Sequence, residues 1–363
     1  MKIPHLILKG EPKERGIKYG AYCQNLIQKS LSKYKELFDS NATRGDISWR
    51  KMKKIANAFY PGIKEFSPEL LEEIEGIAEG AKIDFWDLLT MNCRSELITL
   101  AIKKPYLELD ECTTGCILPE ASESNTVILL QNWDIYSWIG EFPILLEIHS
   151  KDEPDIFAIT EAGQLARYGM NRKGLALGVN GLPGYPEGKE IGLPSVFVRR
   201  KFLMQDNWAD GINIILKAKH TASVNYLISY GEGDAISLEC FLDKTYLLEP
   251  DNGIITHSNH FLHPALYENN LKGEIGSSIY RHRRLRNLLK KNLPAISMEN
   301  AQNAMKDHFA QPKSICRHVD MTKHELKRVK TIASVIMDVT EKKLWLCKGN
   351  PCQGKYVEYY WSR

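Results

Sequence analysis

The chain has no run of the roughly 18 consecutive apolar residues that a membrane-spanning helix needs. Its opening apolar stretch, Leu6-Ile7-Leu8 after Met1-Lys2, is too short for the core of a signal peptide. A charge excess is missing as well. Forty-eight basic residues stand against 45 acidic ones, a net +3, which leaves no electrostatic footprint for nucleic acid or an anionic membrane. Cysteine is sparse, eight in 363 residues, and without a secretory leader the thiols read as reduced, most of them buried small hydrophobes. Neither phosphate loop, G-x-G-x-x-G or G-x-x-x-x-G-K-[ST], occurs, nor does the G-x-S-x-G nucleophile elbow. Nucleotide cofactors are therefore unsupported and a serine α/β-hydrolase is disfavoured. These absences leave the expectation of a soluble cytoplasmic protein with a small-molecule partner, no nucleic acid and no membrane.

What is present suits a globular enzyme. Hydrophobic residues make up 43% of the chain and charged ones 26%, enough apolar material for a sizeable core and too much for disorder. After a short strand over 3–8, the first hundred residues carry helical periodicity, first through Tyr19 to Phe38. Ser67 is an N-cap candidate and Pro68 a first-turn proline. Leu70, Leu71, Ile74, Ile77, Ala78 and Ala81 then form one apolar stripe with glutamates opposite. Asp84 is placed to cap a further helix. From Cys112 onward the texture becomes short apolar or β-branched runs broken by glycine, proline and asparagine. Strands are expected over 126–132, 143–149, 156–160, 174–180, 224–230, 235–240, 244–248, 253–257, 331–338 and 343–347. Helices are expected over 196–220, 278–289 and 298–309. With no repeat, low-complexity tract or long linker, 1–363 reads as one integrated α+β domain.

Several segments carry candidate chemistry. Cys112, in Glu111-Cys112-Thr113-Thr114, sits where helical texture gives way to strand texture. A cysteine there can be a nucleophile. Freed as a new N-terminus it would bring its own base, an α-amine with an ordinary pKa of about 7.7 to 8.0. The competing reading is a buried strand residue, and a Cys112–Cys116 redox pair lacks the C-x-x-C spacing. In Gln131-Asn132-Trp133-Asp134 the polar residues read as the end of a strand, with Asp134 either holding an amine or forming a turn. His257, His260 and His263 recur at intervals of three, yet Pro264 argues against a helix presenting them together, and no metal is expected. Asn259, among them, is a suitable side-chain donor to an oxyanion. The run Arg281-His282-Arg283-Arg284-Leu285-Arg286 reads as the solvated face of an amphipathic helix whose Leu285, Leu288 and Leu289 pack inward.

Taken together, these segments resemble the acyl-coenzyme A:6-aminopenicillanic acid acyltransferase (isopenicillin N acyltransferase-like) family of cysteine N-terminal-nucleophile hydrolases. The resemblance runs collinearly from Glu14-Arg15-Gly16-Ile17-Lys18-Tyr19-Gly20 through Gly76-Ile77-Ala78-Glu79-Gly80-Ala81, Asn92-Cys93-Arg94-Ser95-Glu96 and the Cys112 junction. It continues through Gln131 to Asp134, Gly169-Met170-Asn171-Arg172-Lys173-Gly174-Leu175 and Ser258-Asn259-His260 to Ser314-Ile315-Cys316-Arg317.

The resemblance implies an αββα sandwich made as a precursor that cuts itself between Glu111 and Cys112, giving a helix-rich α chain, 1–111, and a sheet-rich β chain, 112–363. It implies that Cys112 is nucleophile and, through its α-amine, base. Asp134 would hold the amine, Asn259 would donate to the oxyanion, Arg317 would aid electrostatically, and Asn180 would form a second polar element of the oxyanion site. One departure stands out: many members have glycine before the nucleophile, where this chain has Glu111. Glycine eases the strained geometry that self-cleavage wants.

The expected reaction is cleavage of a small N-acyl amide through a thioester on Cys112, with no cofactor. The alternative is acyl transfer from an amide or acyl-CoA to an amine. Trp133, Tyr136, Trp138 and Phe142 hint at an apolar acyl group. Two other classes stay open, an uncut binding protein and a metal hydrolase built on His257, His260 and His263.

Overall fold

The structure, a computed structural model, describes residues 2–40, 48–101, 111–183, 191–272 and 275–362. After strand β1 (His5–Lys9), Pro12 sits in the first turn of α1 (Pro12–Tyr22), and α2 (Gln24–Asp39) follows a break at Cys23. The periodic stretch from Tyr19 to Phe38 is thus divided between two helices. Five more complete the N-terminal part: α3 (Trp49–Ala56), α4 (Tyr60–Phe66), α5 (Pro68–Ala81), α6 (Phe85–Asn92) and α7 (Arg94–Ala101).

In α5 the whole expected stripe is buried. The helix ends at Lys82, whose left-handed backbone (φ 54) lets its own N–H and that of Ile83 return to the carbonyls of Glu79 and Ala78. Two expectations need correction. Ser67 makes no cap, because its Oγ donates to the Glu69 carboxylate at 2.5 Å. Glu73 is not solvated but fully buried, with Arg15 Nε at 2.6 Å and Arg200 Nη2 at 3.4 Å. Asp84 does cap α6, accepting from the Asp87 N–H.

Helices α1 and α5 pack backbone against backbone. A Cβ on Gly16 or Gly20 would come within 2.3 or 2.2 Å of the Glu73 or Ile77 carbonyl, and one on Gly76 or Gly80 within 2.2 Å of the Lys13 or Ile17 carbonyl. Only glycine permits that approach.

The remaining strands are β2 (Glu111–Ile117), β3 (Ile128–Tyr136), β4 (Pro143–His149), β5 (Ile156–Glu161), β6 (Tyr168–Asn171) and β7 (Leu175–Gly181). After α8 (Ser195–Leu203) and α9 (Trp208–Lys217) come β8 (Val224–Tyr230), β9 (Asp234–Phe241), β10 (Lys244–Leu248) and β11 (Ile254–His257). The chain closes with α10 (Gly276–Lys290), α11 (Met298–Met305), β12 (Val329–Asp338), β13 (Lys343–Lys348) and β14 (Val357–Tyr359). The single helix expected over 196–220 is α8 plus α9, because Asn207 starts a new helix by accepting from the Asp210 N–H.

Two sheets result, in the orders β1-β4-β5-β6-β7-β8-β9-β10 and β11-β2-β3-β12-β13-β14. All pairings are antiparallel except β1 with β4. The sheets face each other where β7 crosses β2 and β3: a Cβ on Gly178 would lie 2.9 Å from Gln131 Oε1 and 3.1 Å from Thr114 Cγ2. On the outer face of the smaller sheet, Ile117, Ile128, Leu130 and Ile336 pack with Leu285 and Leu289 of α10 and Ala301, Ala304 and Met305 of α11. The N-terminal helices cover the larger sheet, where Ser30 Oγ and Tyr34 Oη donate to the buried Glu161 carboxylate at 2.6 and 2.8 Å. The fold is an αββα sandwich.

Candidate active site

Alternation along β2 decides which side chains meet. Cys112, Thr114 and Cys116 point between the sheets, whereas Thr113, Gly115 and Ile117 face α10. The Cys112 thiol is buried, with Sγ 3.3 Å from Tyr168 Oη. Beside it lies a cavity of about 40 Å³, room for roughly three waters.

Three side chains fix the Cys112 backbone. Its N–H donates to Asn259 Oδ1 at 2.8 Å, while its carbonyl accepts from Asn180 Nδ2 at 3.2 Å and Arg281 Nη1 at 2.8 Å. Asn180 is itself set by Thr114 Oγ1 and Asn225 Nδ2, which both donate to its Oδ1. Asn259 rides on a turn pinned by Glu239, whose carboxylate accepts the N–H groups of Leu262 and His263 at 2.6 and 3.1 Å. Its own N–H donates to Ser278 Oγ, and its Nδ2 donates to the Gly181 carbonyl.

Asp134 departs from the sequence picture. The polar residues 131–134 do not end a strand, since β3 continues to Tyr136 and every residue from 128 to 136 is buried. Such burial is tolerable because most of these groups find partners: Gln131 bonds Val179, Asn132 Nδ2 donates to the Met305 and Ile315 carbonyls, and Thr331 Oγ1 donates to Asp134 Oδ1 at 2.6 Å. Asp134 pairs with Glu111 in the ladder and lies on the α10 side of the sheet, opposite the Cys112 thiol. Burial pushes its carboxyl up to about 7, against the pull of Arg281 and the Thr331 bond. Arg317 is buried nearby. Its N–H donates to the same Thr331 hydroxyl, so one side chain joins the Arg317 backbone to Asp134.

Arg281 is the residue the sequence reading misplaced. It is not on a solvated face: it is fully buried, and it bonds the Cys112 carbonyl, Thr113 Oγ1 and Asn259 Oδ1. The signal was there in the spacing, since 281, 285 and 289 share one face of a helix and Leu285 and Leu289 point inward. Tyr168, Glu96, Arg167 and Arg199 were also missed. Arg167 lies over the Trp133 ring at 4.9 Å, and Arg199 Nη2 reaches Ser195 Oγ, which donates to Glu96 Oε1. Burial and the neighbouring Arg167 charge lower the Arg199 pKa, while Tyr226, Glu96 and Tyr168 oppose them.

These charged residues, with Ser95, Ser223 and Val179, line the cavity. None of the aromatic residues thought to hint at an acyl pocket lines the cavity, although Trp133 lies beside it, against Arg167 and Tyr168. Trp133, Tyr136 and Phe142 are core, and Trp138 stacks on Tyr136. The three histidines do not converge either: His257 meets Glu239 at 2.8 Å, His260 meets Ser278 at 2.8 Å, and His263 packs on Tyr246. Burial, with the His257 and His282 charges, drives His260 down to about 2.

Residues 121–353 match the sequence model of the acyl-coenzyme A:6-aminopenicillanic acid acyltransferase family. Over 356 residues, 96% of this chain and 93% of the relative, the protein is 25% identical to the acyl-coenzyme A:6-aminopenicillanic-acid-acyltransferase 40 kDa form of Emericella nidulans. Among solved structures it is similar to a Caenorhabditis elegans N-acylethanolamine-hydrolyzing acid amidase ortholog (TM-score 0.46, 10% identity, 63% of this chain and 93% of that one). It is also similar to the penicillin V acylase of Agrobacterium tumefaciens (TM-score 0.44, 15% identity, 65% of this chain and 83% of that one). With the family model covering well over half of the sequence, the chain belongs to the acyl-coenzyme A:6-aminopenicillanic acid acyltransferase family of enzymes.

Proposed function

We propose that the protein cuts itself between Glu111 and Cys112 and then uses the freed Cys112 as the nucleophile of an amidohydrolase. One observation carries this reading: Cys112 is the second residue of β2, with its thiol at a cavity, its nitrogen held by Asn259 and its carbonyl held by Asn180 and Arg281. In the self-cut, Sγ attacks the Glu111 carbonyl carbon, the bond to the Cys112 nitrogen breaks as that nitrogen gains a proton, and water resolves the thioester. A Glu111 carboxylate and a free α-amine result. The amine then takes the thiol proton, the thiolate attacks a substrate amide, and the protonated amine serves the leaving group.

Asp134, adjacent in the ladder, balances the new ammonium, and Arg317 adds positive charge behind it. Asn259 and Asn180 supply N–H donors to the oxyanion. The buried guanidiniums of Arg167 and Arg199 favour a substrate portion bearing a carboxylate rather than the plain apolar acyl group expected from sequence. Acyl transfer is the second reading, favoured by the name of the 25% identical relative. Here an amine, rather than water, resolves the thioester, with an amide or acyl-CoA as donor.

Denaturing intact mass of the fresh protein beside Cys112→Ala tests the core of the proposal. Two fragments meeting at Glu111 and Cys112, absent from the variant, support it. An uncut wild-type chain whose Cys112 is not alkylated by iodoacetamide would point instead to a binding protein. The ratio of free acid to acyl-amine product, measured with added amine, separates hydrolysis from transfer.

A further inference from the structure

Far from Cys112 in sequence and outside the chemistry above, four donor atoms converge. His308 lies just past α11, Cys316 and His318 lie in the loop that follows, and Cys352 lies between β13 and β14. The two Nε2 atoms are 3.1 Å apart, and the two Sγ atoms are 3.5 Å apart. His318 Nε2 lies 3.8 Å from Cys316 Sγ and 3.4 Å from Cys352 Sγ. All four donors fall within 4.8 Å of one another. Zinc bonds of about 2.3 Å to sulfur and about 2.0 Å to nitrogen give a tetrahedron with edges of roughly 3.3 to 3.8 Å. Four of the six separations, 3.1 to 3.8 Å, lie close to those edges, and the remaining two, from His308 to the sulfurs, are within 4.8 Å. The sulfurs stand well beyond the roughly 2.05 Å of a disulfide.

We propose that His308, Cys316, His318 and Cys352 form a structural zinc site. Two thiolates and two neutral imidazoles cancel the ion's charge and suit zinc among the divalent metals, and four protein ligands leave no open position for a substrate. An outer partner is also in place: Asn350 Nδ2 reaches Cys316 Sγ at 3.5 Å and the Arg317 carbonyl at 2.6 Å. The ion would clamp the loop after α11 to the segment between β13 and β14. Arg317, flanked by two ligands, would thereby be held against Thr331. The expectation of no metal came from local histidine spacing, which cannot see donors brought together from separate segments.

Metal analysis of untagged wild-type protein, purified with reductant and without chelator and then incubated with zinc chloride and desalted, is the test. About one zinc per chain is expected, falling roughly tenfold in His318→Ala and Cys352→Ser but retained in Cys347→Ser. To keep the test independent of how the variants fold, cobalt is also added to chelator-stripped wild type. Tetrahedral d–d bands with thiolate charge transfer are expected. Background zinc in wild type, undiminished zinc in both ligand variants, an octahedral cobalt spectrum, or a Cys316–Cys352 disulfide in the protein as isolated would each overturn the proposal.

Discussion

Helix α1 meets α5 with nothing between the backbones, because Gly16, Gly20, Gly76 and Gly80 remove the side chains that would separate them. Helix α10 meets β2 by sending Arg281 through the layer to the Cys112 carbonyl. The first contact depends on absent atoms, and the second adds one long charged side chain to the apolar packing of Leu285 and Leu289. A substitution in one should therefore cost stability, and in the other should change the chemistry with a smaller effect on the fold.

The most severe way to break this contrast is Gly76→Leu, expected to yield no soluble folded protein. Gly76→Ala, whose new Cβ meets a carbonyl at 2.2 Å, should already lose about 3 kcal/mol in urea denaturation. Next comes Arg281→Met, for which the proposed self-cut should slow roughly 10²-fold in a gel time course. Far-UV circular dichroism should stay native, and Arg281→Lys should recover only part of the rate because its single ammonium cannot reproduce the fork.

Asp134 gives a pH signature. Its carboxyl titrates near 7 in the fold and near 3.8 in an ordinary setting, so the folded chain holds the extra proton between those values. Its contribution to stability should be fullest below about pH 4, fall as pH rises to about 7 and then level off, against carboxylates such as Glu147 that contribute in the opposite sense. Asp134→Asn should flatten that slope in urea titrations of the uncut chain. The smallest effects compare two helix starts: Asp84→Ala should cost about 1 kcal/mol as a lost cap, and Ser67→Ala about 1 to 2 kcal/mol as a lost bond to the Glu69 carboxylate with no cap involved, both read by urea denaturation.

The sequence was most legible where turns bracket a simple alternation. Strands over 143–149, 224–230 and 244–248 fall on those limits. Of the strands absent from the expected ranges, β6 has four residues, one of them glycine, and β14 has three, too few to establish a period, while β2 has seven but its small Thr113, Thr114 and Gly115 carry no clear apolar alternation. Residues 131–134 misled because polar side chains ordinarily end a strand, and the partners that let these stay buried come from distant segments: β7 of the other sheet, α11, the loop after it and Thr331 on β12. The placement of Cys112, Asn180 and Asn259 around one peptide was accessible through resemblance alone, since no local pattern joins residues on three strands and turns. Arg281 was hidden by its company: three further basic residues within five positions describe a wet surface, and only the leucine phase contradicts them.

Strand β1 lies within 1–111 yet forms an edge of the larger sheet, in parallel register with β4. Breaking the chain at Cys112 would leave two polypeptides sharing that sheet, so neither could leave without opening the core. It would also make folding a one-way event: a cut molecule that unfolds must find its other half again by diffusion. From then on its endurance would be set by how slowly it opens rather than by how favourably it closes.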